Sequence, residues 1–575
     1  MEADRMSASA ARVAHVNLMT DTVIANLNPD ALRVILRSML AADENGQLTH
    51  QLQHHVQKYL RHDLQRTSVP ALFSVTDKST STASASSSSS AQPTPVPTPE
   101  LAKLRGRICS LLGSGLAFES LQLLAEVVRQ SRTLELNGRT PEGERLAEVL
   151  AAVDGDLVQA LTAVQKVVTA NNWGKGEIPA ARLQVLLNLR ADLEDCRERS
   201  EGLGVEFGLG RGSMMLENIL SMIFNPAIEA STVATPSLLQ GNERAIEHFQ
   251  LGPFTVPRLF IGLWQLSSPA WGSASKSKIL SQFQKHVDSG FTAFADMADH
   301  YGDAEIVFGE FRSSYSGPKS IFCATKYCVF EHITVTPDGM RDEVSQRLAN
   351  IKSDKIDLLQ FHWHDYNDTQ YIRALQLLQD DERVAVLGLC NFDTKRMEEV
   401  IGAGVKIATN QVQFSLIDTR PTYAMAEACE KHNIKLLTYG TLCGGFLAEK
   451  WIGKDEPDAF GAGMTPSLRK YLEMINIWGP WSLFQTLLET LSTIGRKHNA
   501  SVSAVAIRWV LDFSYVGAVL VGARMGVSEH TEDNLAVYGW QLDAEDKRML
   551  EEVLCQSRRG EIFSDMGDCG AEYRR

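Results

Sequence analysis

Apolar residues along this chain follow two rhythms, and the change from one to the other divides it. In the first 200 residues they recur at helical spacing. NPDALRVILRSMLAA opens with Asn28 as an N-cap and Pro29 at the first helical position, and Leu32, Ile35, Leu36, Met39 and Leu40 share a face. SLQLLAEVVRQ and ERLAEVLAAVDGDLVQALTAVQKVV repeat that pattern within residues 101–196, and SMMLENILSMIF predicts one more short helix. The Ser/Thr run and spaced prolines of STSTASASSSSSAQPTPVPTPE cannot bury a core. The expected divisions are a helical N-terminal segment (1–78), a disordered Ser/Pro-rich linker (79–100), a helical region (101–200) and a connecting segment (201–248). The helical parts are expected to pack on themselves or on a partner protein.

From Arg258 onward short β-rich runs alternate with helical ones. RLFIGLWQL, AFADMA, SIFCATKY, IDLLQFHW, AVLGLCNF, ATNQVQF, KLLTYGTL and GAVLVGA are eight strand candidates in roughly 280 residues, the cadence of a (β/α)8 TIM barrel over 249–555 with a tail at 556–575. A doubly wound sheet alternates in the same way but rarely sustains eight units, and no Rossmann loop opens this series.

Bulk properties narrow the function. The length of 575 residues exceeds one ordinary domain, and the net charge of -14 argues against a general nucleic-acid binder. No apolar run approaches the ~18 residues of a membrane span, and MEADRMSASAARVAH lacks the apolar core of a secretory signal. Nine scattered cysteines without a CxxC pair fit reduced thiols, so a cytoplasmic location is expected. His50, His54, His55 and His62 lie at roughly helical offsets, but no acidic or cysteine ligand completes a metal set, and a solvated polar face is the expectation. The glycines of GLGVEFGLGRG lack GxGxxG spacing and are expected to form a flexible connection.

A barrel carries its chemistry at the C-terminal ends of its strands. Asp296 and Tyr301 follow strand two of the series, and Lys326 and His362 end strands three and four. Asn391, Gln411 and Tyr439 end strands five to seven, and Arg524 follows strand eight. A phenol titrates near ~10, and bringing it toward ~7 takes about 4 kcal/mol. An ammonium about 4 Å away supplies that much at an effective dielectric of ~20. The expectation is that Lys326 lowers the Tyr301 pKa while Asp296 holds Lys326 charged and fixed.

On these residues the chain from about 249 to 553 resembles the aldo-keto reductases. Asp296 and Tyr301 in DMADHYG, Lys326 in ATKY and His362 in DLLQFHW match that family's catalytic tetrad, and GLCNF, NQVQF and VGARMGVSEHTEDN match further motifs. The resemblance implies an oxidoreductase that interconverts an aldehyde or ketone and an alcohol, using NADPH in preference to NADH, with Tyr301 as general acid. It implies that His362 (rather than His364) orients the carbonyl as a neutral imidazole. Asn391 and Gln411 would hold the nicotinamide carboxamide, and Tyr439 would stack on its ring. Gly444, Gly445, Gly522 and Arg524 would take the phosphates, and Asn534 the adenine end. Two departures stand out: Cys390 replaces the usual Ser before the strand-five Asn, and TYGTL replaces YSPL. Trp264 and Trp363, at strand ends, are the expected substrate-binding aromatics, and Trp451, Trp478 and Trp481 in the 447–484 insertion are either pocket walls or loop anchors. No metal is expected. The alternative function is a nucleotide-sensing scaffold whose helical half binds a protein partner.

Overall fold

The computed structural model describes residues 27–43, 45–64, 68–75, 95–132, 134, 141–171, 173, 177–224, 246–461 and 464–574. These fall into two compact units, one from Met1–Thr67 and Asp455–Leu472, the other from Ser68–Lys454 and Glu473–Arg575. In the first, helix α1 (Pro29–Ala41) starts where expected, with the Ala31 N–H donating to Asn28 Oδ1 at 2.8 Å and Pro29 in the first turn. Helix α2 (Gln47–Leu64) carries His50, His54, His55 and His62 exposed to solvent.

The second unit begins with a departure from the expected linker. Strands β1 (Phe73–Val75) and β2 (Pro95–Pro97) pair antiparallel, so residues 95–97 are ordered and Pro99 already opens a helix. Prolines are tolerated there because a two-stranded ladder is all edge. The rest of the expected linker, 79–94, lies outside the described residues. Five helices follow: α3 (Pro99–Gly113), α4 (Ala117–Ser131), α5 (Pro141–Ala170), α6 (Ala180–Leu203) and α7 (Gly210–Phe224). Their leucines and valines form an interior of their own, with Leu121, Leu157, Leu161, Leu186 and Ile219 fully buried.

The glycine-rich stretch before α7 is more than the flexible connection expected of it. Gly204 ends α6 at φ 65°, but Gly210, Arg211 and Gly212 are buried. A Cβ on Gly212 would meet Leu157 at 2.8 Å and Asp154 Oδ1 at 3.0 Å, so a glycine is required for α7 to sit against α5.

A hairpin of β3 (His248–Leu251) and β4 (Phe254–Pro257) precedes the barrel, and its Phe249, Phe254, Leu251 and Val256 pack on Phe260, Phe322 and Leu358 inside the barrel. The barrel strands are β5 (Leu259–Gly262), β6 (Ala293–Ala295), β7 (Phe322–Val329), β8 (Leu358–Trp363), β9 (Leu387–Cys390), β10 (Thr409–Gln413), β11 (Lys435–Tyr439) and β12 (Val516–Gly522). They close in sequence order, all parallel, with β12 pairing back to β5. The expected (β/α)8 architecture is therefore present, fronted by a helical region.

Alternation along each strand sorts its side chains. Leu359, Phe361 and Trp363 of β8 join the core between strands and helices, whereas Leu358 belongs to the lumen cluster. On β7, Cys323, Tyr327 and Val329 face the helices while Phe322 and Ala324 face the lumen. Period two then assigns Lys326, Cys328, Gln360 and His362 to the lumen wall. Among the described residues no helix is long and apolar enough to cross a membrane.

Candidate active site

At the C-terminal rim of the lumen, the chain leaves β6 at Asp296 with φ 62°, a left-handed conformation that costs an ordinary residue roughly 1–2 kcal/mol. Its Oδ1 accepts hydrogen bonds from Lys326 Nζ at 2.6 Å and from Gln411 Nε2 at 3.0 Å. The Lys326 side chain is 2 % exposed. Burial pushes its ammonium down, Asp296 outweighs burial, and the net shift is upward, so the lysine stays charged. Asp296 thus does for Lys326 what the sequence suggested.

Lys326 and Tyr301 also come together, but in a different geometry from the one expected. Nζ lies 4.7 Å from the centroid of the Tyr301 ring, a cation on the ring's face. The expected lowering toward ~7 does not occur. Burial, and then the Asp296 carboxylate, hold the phenol well above its usual value of 10. Tyr301 therefore keeps its proton throughout neutral pH. The His300 ring meets Tyr301 edge-on at 4.6 Å and Phe330 at 5.0 Å, and its Nδ1 lies 3.0 Å from Asp299 Oδ1.

His362 is buried, with Nδ1 3.1 Å from the Cys390 carbonyl and its ring against Phe330. Burial first, then Arg574, pushes its pKa down to about 3, so the imidazole is neutral. A carbonyl partner requires the proton on Nδ1, which leaves Nε2 as an acceptor. His364 is held by the Val329 carbonyl, 2.7 Å from its Nδ1. The Cys390 thiol is pushed up to about 11 by burial and stays protonated.

Several of the residues expected around a coenzyme stand in or just beyond the barrel strands. Asn391, at φ 57°, follows β9, and its Oδ1 accepts from the Tyr439 hydroxyl at 2.9 Å. Gln411 ends in a buried Oε1 with no hydrogen-bond partner among the described residues. Gly444 (φ 66°) and Gly445 (φ 98°) form the turn after β11. Gly522 ends β12 beneath the Gln265 side chain, and Arg524 lies exposed beyond it with Nε 3.2 Å from Ser528 Oγ. Asn534 is half-buried in the short helix Thr531–Leu535.

Comparison with known proteins now decides the family. The aldo/keto reductase family profile matches residues 258–554, just over half of the chain. The chain belongs to the aldo/keto reductase family. It is 24% identical over 315 residues to aldo-keto reductase YhdN of Bacillus subtilis (strain 168), covering 52% of this chain and 89% of that relative. Flagellar radial spoke protein 5 of Chlamydomonas reinhardtii is 28% identical over 198 residues, covering 31% of this chain and 35% of that protein. Among solved structures, a glycerol dehydrogenase from Gluconobacter oxydans shares 24% identity with a TM-score of 0.46, covering 54% of this chain and 96% of that one. As an aldo/keto reductase the chain is a nicotinamide-dependent oxidoreductase.

The rim fits such a coenzyme in one specific respect. A nicotinamide carboxamide carries two N–H donors, and Gln411 Oε1 is a buried acceptor that finds no donor among the described residues.

Two expectations about this reductase's pocket need correction or refinement. Trp363 does not face the mouth. It is 1% exposed, stacks on Phe361 and donates from Nε1 to the Asp365 and Asp368 carbonyls. The cause is phase: with His362 facing the lumen, its neighbour must face the helices. Trp264, in the turn after β5, is half-buried and lies 5.2 Å from Trp271. Of the insertion tryptophans, Trp451 and Trp481 anchor loops by donating to the Gly445 and Lys454 carbonyls, and Trp478 is fully buried.

The C-terminal tail takes a course that no motif foretells. Helix Arg559–Met566 leads to a strap that returns over the mouth. The Thr394 N–H donates to Asp568 Oδ2 at 2.7 Å, Gly570 packs on the Asn391 backbone, and Arg420 donates to both Glu572 oxygens. Tyr573 places its hydroxyl 3.1 Å from that of Tyr439 and its ring edge-on to His362, while the Arg574 guanidinium donates to the Asn391 carbonyl and covers the Tyr366 ring. EYRR carries no motif that announces this.

Proposed function

We propose that this aldo/keto reductase reduces an aldehyde or ketone to an alcohol, or runs the reverse oxidation, with NADPH as coenzyme and Tyr301 as the group that gives or takes the proton. The observation carrying this reading is the Asp296–Lys326–Tyr301 arrangement, with Nζ 2.6 Å from the carboxylate and 4.7 Å from the phenol ring. Transfer at the carbon is the chemistry a nicotinamide coenzyme supplies when bound. The chain's own groups place the substrate and manage the proton. A protonated phenol donates a hydrogen bond to the substrate oxygen and then its proton as negative charge develops there. Lys326, kept charged by Asp296, stabilises that charge from the ring face. His362 offers an acceptor Nε2, so the expected role of orienting the carbonyl by a hydrogen bond gives way to accepting one from a substrate hydroxyl, and donation to the reacting oxygen falls to Tyr301.

Asn391 and Gln411 would hold the carboxamide, with Tyr439 along the ring. The turns at Gly444, Gly445 and Gly522 would take the phosphates, and Asn534 the adenine end. Arg524, exposed beyond β12, would pair with a 2′-phosphate through its planar fork, which favours NADPH. A relative from Escherichia coli (strain K12), 19% identical over 325 residues, is named an NADH-specific methylglyoxal reductase, so the two coenzymes belong in one experiment. Trp264 would line the substrate pocket. The scaffold alternative draws no support, since relatives matched over most of their length are reductases by name.

The test is a carbonyl panel followed by nicotinamide absorbance with NADPH and NADH in parallel. Consumption of NADPH that Tyr301→Phe abolishes, with coenzyme binding retained, is the expected result. A Tyr301→Phe protein as active as the parent overturns the assignment.

A further inference from the structure

The turn that carries Tyr301 is held from outside the barrel. Two residues on, Asp303 is the N-cap of the helix Ala304–Ser314, yet its side chain makes no capping hydrogen bond. An N-cap aspartate ordinarily accepts from the first free N–H groups of its helix. Here both carboxylate oxygens are taken by Arg211 instead, Nε to Oδ2 at 2.8 Å and Nη2 to Oδ1 at 2.7 Å. Both side chains are buried, at 4% and 0% exposure. A bidentate fork fixes direction as well as distance, so Asp303 has little freedom to rotate.

Arg211 is itself immobilised. It stands at the start of α7, where the Asp154 carboxylate of α5 accepts from the Arg211 N–H at 3.0 Å and the Gly212 N–H at 2.7 Å. Two further contacts join α5 to the same end of the barrel. A Cβ on Gly302, between Tyr301 and Asp303, would touch Val158 at 3.4 Å, and one on Gly155 would collide with Ser273 Oγ at 2.6 Å. Asp154, Arg211 and Asp303 thus run in series from the helical region to the residue next but one to the phenol.

We propose that Arg211 is a positioning residue for the reductase chemistry: through Asp303 it clamps the Tyr301 turn and makes the helical region at 141–224 a working part of the active site. This rests on the proposed role of Tyr301. The aldo/keto reductase profile begins only at residue 258, so Arg211 and Asp154 lie outside it while Asp303 lies within. Arg211 and Asp303 spend their side chains on each other and are not among the residues proposed to hold coenzyme or substrate. Loss of the clamp should therefore lower turnover without weakening coenzyme binding, because displacement of a reacting group by about 1 Å costs up to ~100-fold in rate.

The experiment uses the full chain with Arg211→Met, Arg211→Lys and Asp303→Asn. NADPH oxidation with 4-nitrobenzaldehyde is followed by steady-state kinetics, and amide hydrogen exchange is read across residues 299–304. The expected result is a kcat reduced about tenfold or more in Arg211→Met, with KM for NADPH within twofold of the parent and faster exchange at the turn. Arg211→Lys, which keeps the charge and loses the fork, should fall between. Folded variants with parental kcat and parental exchange overturn the proposal, and so does a parallel loss of kcat, NADPH affinity and melting temperature. If Arg211→Met does not fold, the lysine and asparagine variants decide by the same criteria. A parent that oxidises NADPH with no carbonyl removes the reductase reading, whereas the exchange comparison still shows whether Arg211 holds the turn.

Discussion

Two buried aspartate–cation pairs flank the same tyrosine and do different work. Asp296 and Lys326 meet at 2.6 Å on the lumen side, where the cation also faces the phenol ring. Asp303 and Arg211 meet at 2.7–2.8 Å on the outer side, where the cation faces nothing that reacts. A lysine presents a compact charge to a developing oxyanion, and an arginine presents a planar fork that fixes a carboxylate. On the roles proposed above, the choice of cation follows the job: charge where chemistry occurs, geometry where position is set.

The largest effect expected on the inner side is Tyr301→Phe, which should lower turnover by about 10²–10⁴-fold, the usual worth of a positioned acid, while a fluorescence titration still detects coenzyme binding. Lys326→Met should follow, because it leaves the Asp296 charge without its cation. A cost of about 3–5 kcal/mol is expected for breaking a buried pair, read by denaturant melting, together with a severe loss of turnover. If Lys326→Met costs stability but no activity, both pairs are merely structural and the contrast fails.

The pH profile sharpens the contrast next. Burial holds His362 neutral, with its pKa down at about 3, and keeps Tyr301 protonated well above 10. Turnover should therefore be flat from about pH 5 to about pH 9, without a limb near the ~6.5 of an ordinary histidine. For stability the sign is fixed by the depressed His362 pKa: the unfolded chain takes up a proton near 6.5 that the folded chain refuses. The His362 contribution is thus complete above about 6.5 and is lost as pH falls toward 3. An activity limb near 7 would mean that the ammonium does lower the phenol after all.

A smaller effect is expected from Tyr573→Ala. The strap sits on Asn391 and Tyr439, so its removal should tighten NADPH binding a few-fold in a titration. Weaker binding would instead make Tyr573 part of the coenzyme site. The smallest change in activity belongs to Trp363→Phe, which should leave kcat/KM within twofold and reduce stability by about 1–3 kcal/mol, since the indole fills the helix-facing core.

The inner pair and the barrel were legible because strand-end residues of one rim recur at a readable cadence. Asp296 and Tyr301 lie beyond β6 and His362 lies near the end of β8, as the barrel rule places them, whereas Lys326 faces the lumen from three residues before the end of β7. Trp363 was misread although the information was present, since fixing His362 in the lumen fixes its neighbour outside. The outer pair was not legible, because Arg211 and Asp303 are 92 residues apart and neither belongs to a motif. A partial cue existed in Asp154, which occupies the apolar stripe of α5 with Leu157 and Leu161 and is buried there. Burial lifts its carboxyl to about 7, the kind of cost that signals a specific partner. The ladder at residues 95–97 was missed for the opposite reason: composition argued for disorder, while two-strand pairing asks for little more than an edge.

The sorting of side chains along β7 and β8 has a use in engineering. Substitutions at Cys328, Gln360 or His362 change the wall of the lumen, whereas those at Tyr327, Phe361 or Trp363 change only the mortar between strand and helix. Libraries confined to the first set would explore specificity with the scaffold intact, and the second set would serve to harden the protein against heat. A single-residue deletion within β8 would exchange the two sets downstream of the cut, sending the imidazole into the wall and an indole into the chamber.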